Sequence, residues 1–254
     1  EELDWTVRLE VAPQLPNSGF DEWFHAWGSP NETKEQIGRN ATEMFWCTTN
    51  DPLAGFETTK VAGEHGGSGD YAAQLHTNMK DVLGIRKLGA AGLFTGFFKL
   101  NLSYLNDPVR MTKMGRPFLL RPTKAVFSGK YTAGHPYYME DPVTHTPVET
   151  SGSDRGSCRV RLEHWKDAAG KVLYNYTPAT EAEYEAVTRT VVGEGELIIN
   201  PVQNWTRMEV PVSYQSPLQV THIIVDFASS KDGASFRGAN GSVLAIDNFE
   251  LLYD

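Results

Sequence analysis

Residues 156–165, GSCRVRLEHW, decide the fold class. Cys158, Val160 and Leu162 alternate with Arg159, Arg161, Glu163 and Trp165, the period-two pattern of a strand with one buried and one outward face. The first three predict core positions and the other four an outward face that is polar and aromatic. YAAQLHT (71–77), TKAVFSGKYTA (123–133), GELIIN (195–200), TRMEVPVSY (206–214) and THIIVDFASS (221–230) also read as strands. The 23 glycines and 14 prolines fall largely between such runs, as expected for a sandwich or barrel. Helical text is scarce. ATEAEYEAVTR (179–189) predicts two or three turns, with Thr180 as N-cap and Glu183 three residues on. NMKDVLGIRKLG (78–89) is a weaker helical candidate because Gly84 interrupts it. The chain therefore reads as one all-β domain over residues 15–254, with residues 1–14 as a lead-in or the remnant of an upstream segment.

Composition narrows the function classes. The 254 residues carry a formal net charge of -9 and are 40% hydrophobic and 22% charged, which argues against a nucleic-acid-binding surface. No apolar run reaches the roughly 18 residues of a transmembrane helix. EELDW opens the chain without an initiating Met or a signal peptide, which reads as a processed or trimmed product. Cys47 and Cys158 are the only cysteines and sit in strand-like text. They are either two buried free thiols or one disulfide.

NSGFDEW (17–23), AAGLFTGFF (90–98), RPFLLRPTKAVFSGKYTAG (116–134) and SSKDGASFRGANGSVLAIDNFELLY (229–253) occur in this order. Together they resemble the putative carbohydrate metabolism domain family of Bacteroidetes surface and secreted proteins. The resemblance implies a jelly-roll β-sandwich of two antiparallel sheets, similar to carbohydrate-binding modules and jelly-roll glycoside hydrolases. It also implies a secreted, periplasmic or outer-surface location, often behind a lipoprotein signal. Two departures bear on ligand preference. Arg237 stands where a small polar residue is expected, and AGLFTGFF lacks an Asn expected at its third position.

Asp247 is a carboxylate set into the apolar run SVLAIDNFELL (242–252). The resemblance places the first Gly-Phe turn beside the last strand, and many such jelly rolls hold a structural calcium there. The matching positions are Asp21, Asp247 and the loop GEHGGSGDY (63–71), where Asp70 adds a side chain. Oxygen-only ligation suits calcium. The alternative is that Asp247 caps backbone N–H groups of a crossing loop without a metal. In both cases Asp247 is architectural.

Saccharide sites combine aromatic platforms with convergent hydrogen-bonding groups. Trp165, Arg161 and Glu163 are the constellation that the alternation supplies; the alternative is a solvated face with an Arg–Glu pair. Arg116 and Arg121 each precede a proline, stiff extended positions that aim a guanidinium at a ligand or clamp a loop. Tyr131, Tyr137 and Tyr138 follow near His135 at an aromatic turn, Trp46 and Trp27 are further platform candidates, and Arg237 and Ser242 belong to the glycine-rich SFRGANGS loop. A glycosidase requires two carboxylates flanking the scissile bond, and no motif here pairs two of them on one strand. Glu163 is the candidate catalytic acid, and Asp226, between apolar neighbours in IIVDFASS, is an acid whose partner is informative. No zinc spacing, nucleophile elbow, P-loop or dinucleotide fingerprint is present. With the resemblance, these residues are expected to belong to a glycan-binding jelly roll, a monomer whose partner is an oligosaccharide or polysaccharide. A glycoside hydrolase or lyase on the same pocket and a structural protein-docking module are the alternatives.

Overall fold

A computed structural model of the chain describes residues 12–26, 34–51, 57–82 and 84–253. Among these, fourteen strands build two antiparallel sheets. They are β1 (Trp46–Thr48), β2 (Glu57–Ala62), β3 (Tyr71–Val82), β4 (Ile85–Ala90), β5 (Gly92–Phe98), β6 (Thr112–Met114) and β7 (Arg116–Pro117). There follow β8 (Lys124–Thr132), β9 (Gly156–Lys166), β10 (Thr188–Ile199), β11 (Val202–Pro211), β12 (Ser213–Tyr214), β13 (His222–Ala228) and β14 (Ser242–Leu252). One sheet has six strands in the order β11-β8-β14-β3-β2, with β4 paired to β3. The other has eight, β12-β10-β9-β13-β5-β1, with β6 on β5 and β7 on β13. The chain is a jelly-roll sandwich.

The faces follow the period-two reading. Cys158, Val160 and Leu162 of β9, with Ile223, Val225 and Phe227 of β13, point into the core from the eight-stranded sheet. Leu75, Phe127, Leu244 and Ile246 meet them from the six-stranded sheet. Edge-to-face aromatic contacts run through the middle, Phe127 to Phe227 at 5.0 Å, Phe227 to Phe249 at 6.0 Å and Phe249 to Trp46 at 5.5 Å. Such pairs add about 0.5–1.5 kcal/mol each beyond area burial. Cys47 and Cys158 are buried free thiols. Burial pushes the Cys47 thiol up to about 12, so neither the redox nor the ligand chemistry of a thiolate is available there.

Asp247 now has a local cause. Leu244 and Ile246 are core residues and so are Phe249 and Leu251, which shifts the apolar phase by one residue between them. Val126 pairs with Glu250 but Ser128 pairs with Asp247, leaving Asn248 and Phe249 opposite Phe127 in a β-bulge. Asn248 takes the left-handed conformation (φ 50) that the bulge requires. Asp247, 1% exposed, accepts from the N–H groups of Asn248 and Glu64, both at 2.7 Å. Where β3 leaves this part of β14, the segment before the first turn takes its place. Ser18 O accepts from Phe249 N at 2.9 Å, and the Gln14 amide donates to Leu251 O and accepts from Leu251 N at 2.9 and 2.7 Å.

Two helical expectations resolve differently. Helix α1 is only Glu181–Glu185, with Thr180 accepting from Glu183 N as its cap, because β10 begins at Thr188. Residues 78–89 are a hairpin and not a helix: β3 pairs with β4 from Thr77↔Ala90 to Val82↔Ile85. Gly84 (φ +81) supplies the positive φ that the tight turn needs.

Candidate functional site

The outward face of the eight-stranded sheet carries a cavity of about 470 Å³. Its floor is Arg159, Arg161 and Glu163 of β9, Ile224 and Asp226 of β13, Phe94 of β5 and Glu196 of β10. Tyr184 of α1 and Arg189 of β10 close one end, and Leu88, Lys231 and Phe236 the other. The strand register explains the pattern. Arg159 is paired with Glu196 on one side and Asp226 on the other, and Arg161 with Glu194 and Ile224, so each arginine has an acid as a cross-strand neighbour. Arg159 meets Asp226 at 3.1 Å, while Arg161 meets Glu194 at 3.1 Å and Glu163 at 4.0 Å. Burial pushes the Asp226 carboxyl above the usual range, and Glu196 adds to that rise while Arg159 and Arg161 oppose it.

Glu163 is 4% exposed and held from below: the Trp165 indole N–H donates to its carboxylate at 2.7 Å. Trp165 stacks on His222 with ring centroids 3.7 Å apart and 10° between planes. Tyr184 lies across the indole edge-to-face at 6.0 Å, and the Tyr184 hydroxyl is tied to the backbone of Met114. A side chain at Gly115 (φ +124) would meet the indole at 2.4 Å. Trp165 is thus on the predicted face but roofed by α1 and the 112–115 segment, and it supports Glu163 instead of presenting a platform.

The other sequence candidates separate. Trp46 and Tyr131 are core side chains, 0% and 1% exposed, because their strands turn them inward; Trp46 also donates to Pro16 O at 2.8 Å. Ser242 is buried and donates to Asp154 at 2.7 Å, so its hydroxyl belongs to an internal network. Arg121 is exposed, donates to Leu218 O and Ser216 O, and stacks over Tyr214 at 4.1 Å. Arg116 likewise clamps loops through Phe45 O, Met44 O and Gly96 O. Tyr137 and Tyr138 belong to a separate three-stranded sheet and lie outside the cavity wall. Arg237 is exposed outside the cavity, and the adjacent Phe236 lines it instead. Trp27 lies outside the described residues. Of the candidates, Arg161 and Glu163 meet in the cavity; Asp226, Arg159, Tyr184, Arg189 and Glu196 join them. The outward phase of Asp226 in IIVDFASS was the sequence signal for that part; the rest depends on strand order.

Asp21, Asp70 and Asp247 face one another across the first turn, the 63–70 loop and β14. Burial raises the Asp247 carboxyl, and the charges of Asp70 and Asp21 add to the rise. Each already accepts a backbone N–H: Asp21 from Tyr71 at 2.9 Å and Asp70 from Gly66 at 2.6 Å, as Asp247 does from Glu64. Among the described residues they form no set of three side chains poised to hold a metal together. The donor chemistry fits a hard cation that also takes backbone oxygens.

The sequence profile of the putative carbohydrate metabolism domain family matches residues 18–252. The chain belongs to this family. Two solved structures share the fold of this family member. A "putative glycoside hydrolase" from Bacteroides thetaiotaomicron VPI-5482 is 21% identical with a TM-score of 0.68, covering 98% of this chain and 73% of its own. A second, from Bacteroides vulgatus ATCC 8482, is 21% identical with a TM-score of 0.62, covering 97% and 96%. No curated protein matches the sequence. Among the described residues no helix is long and apolar enough to cross a membrane.

Proposed function

We propose that the protein binds a saccharide in the cavity on the outward face of the eight-stranded sheet, within a secreted, periplasmic or surface-attached carbohydrate-use system of a Bacteroides-like bacterium. The observation that carries this reading is the convergence of Arg159, Arg161, Glu163 and Asp226 between apolar walls from Phe94, Ile224 and Phe236. A sugar offers C–H faces to such walls and hydroxyls to such a rim. All four groups already sit in ion pairs, Arg159 with Asp226 and Arg161 with Glu194 and Glu163, so little side-chain freedom is lost on binding.

A second reading, hydrolysis, is favoured by Asp226. A carboxyl whose proton affinity burial raises suits a general acid. Asp226 and Glu196 flank Arg159 on adjacent strands, which puts their backbones about 10 Å apart and their carboxyls within reach of the wider spacing of inverting glycosidases. Glu163 stands four residues along β9 from Arg159, about 13 Å at the backbone, so Asp226 and Glu196 are the better pair.

A calcium ion between Asp21, Asp70 and Asp247 accompanies this reading. It would offset the mutual repulsion of three carboxylates, none of which is ion-paired among the described residues.

The test is retention and mass-spectrometric product analysis on a broad panel of host and plant polysaccharides. Retention lost in Arg161→Ala supports the cavity. Released oligosaccharides that vanish in Asp226→Asn establish hydrolysis, and neither retention nor release would overturn both readings in favour of a protein-docking module.

A further inference from the structure

We infer that the cavity takes an anionic saccharide, one carrying a carboxylate or a sulfate, and that Arg189 receives the charge. This rests on the cavity being the saccharide site. The other two cavity arginines are committed to acids, Arg159 to Asp226 and Arg161 to Glu194. Arg189 is not. Among the described residues no carboxylate lies within ion-pair distance of it, and its guanidinium stacks over the Tyr184 ring at 3.6 Å, with the Trp165 ring at 5.2 Å. One terminal nitrogen donates to Tyr184 O, while Nε is buried with no acceptor.

A guanidinium keeps its charge in a protein and presents five N–H donors in a fixed fork. Nε has no surface for a ligand to reach, so an anion would meet the terminal nitrogens, and stacking on Tyr184 fixes the plane of the fork. A carboxylate or sulfate oxygen pair matches that geometry in a way a neutral hydroxyl does not. Arg189 also pairs with Trp165 across the β9–β10 ladder, so the anion would sit at the Glu163 end of the cavity. The net charge of -9 gives no long-range attraction for a polyanion. Recognition is therefore local, of one charged residue in a chain, and moderate salt should weaken it little.

The test uses polygalacturonate, alginate, hyaluronan and chondroitin sulfate, each beside its carboxyl-reduced or desulfated form, with neutral mannan, xyloglucan and dextran, in affinity electrophoresis. The expected result is retention of an acidic polymer that falls about tenfold or more when its charge is removed; carboxyl reduction and desulfation distinguish the two anions. Arg189→Gln should bring affinity for the acidic form down to that for the neutral one, and Arg189→Lys should restore part of it, with melting curves confirming that both fold. If Arg189→Gln fails to fold, Arg189→Lys must still show reduced discrimination. Retention of a neutral polymer, or equal retention of charged and neutralised forms, overturns this inference and leaves saccharide binding standing. Retention of nothing overturns saccharide binding itself.

Discussion

His222 offers the sharpest test of the floor beneath Glu163. It is 0% exposed, its ring lies flat on Trp165, and its two nitrogens face Thr221 Oγ1 at 2.9 Å and Tyr176 O at 2.7 Å. Burial, with the Arg189 charge in support and the Tyr176 carbonyl opposing, brings its pKa down to about 4. The unfolded chain would titrate near 6.5. The unfolded state therefore binds more protons between these values, so this contribution to stability is fully present above about pH 6.5 and is lost as pH falls toward 4. A shift of this size amounts to about 3 kcal/mol. Asp226 and Asp247, both raised, act in the opposite direction: their ionisation in the fold is disfavoured, so their contribution falls as pH rises. A difference measurement removes them. Guanidinium unfolding should be followed by tryptophan fluorescence from pH 7.5 to 4 in the wild type and His222→Phe, which keeps the stack but cannot be protonated. The wild type is expected to lose about 3 kcal/mol more than the variant over this range. Parallel curves, or an NMR titration of His222 near 6.5, would refute the argument.

Three further outcomes are expected. Gly115→Ala should destabilise by about 3 kcal/mol in denaturant melts, through left-handed strain and collision with the Trp165 indole; a loss below about 1 kcal/mol would mean that the roof over Trp165 yields. Trp165→Phe removes the donor to Glu163, a bond to a charged group that contributes about 1.5–3 kcal/mol, and saccharide affinity measured by calorimetry should fall by about tenfold or more. A chelator should lower the melting temperature, with recovery on adding calcium and no response in Asp247→Asn; an unchanged melting curve in the wild type would remove calcium from the Asp21–Asp70–Asp247 site.

What was legible in the sequence was what neighbouring residues determine. Period two alone placed Cys158, Val160 and Leu162 inside and Arg159, Arg161 and Glu163 outside, whereas the bulge at Asp247 became visible only in the register of β8 and β14. Trp165 kept its face but not its exposure, because its cover comes from Met114, Gly115 and Tyr184, which no local pattern ties to it. Trp46 and Tyr131 were platform candidates by residue type, yet strand direction put both in the core. Arg159 gained its acids from β10 and β13, whose adjacency is a property of strand order. The 78–89 hairpin misled because polar residues on a two-faced hairpin mimic helical amphipathicity until the turn at Gly84 is seen.

The Gln14 contact has a consequence for solubility. A sheet edge with free N–H and C=O groups is a template for another chain, and β14 loses its neighbour β3 after Ile246. Gln14 offers Leu251 the pair that a peptide unit would: its amide nitrogen donates to Leu251 O, and also to Ala12 O, while its carbonyl accepts from Leu251 N. This side chain, with Ser18 O taking the N–H of Phe249, thus stands in for a missing strand. It blunts the stretch of β14 that would otherwise be open to edge-to-edge aggregation.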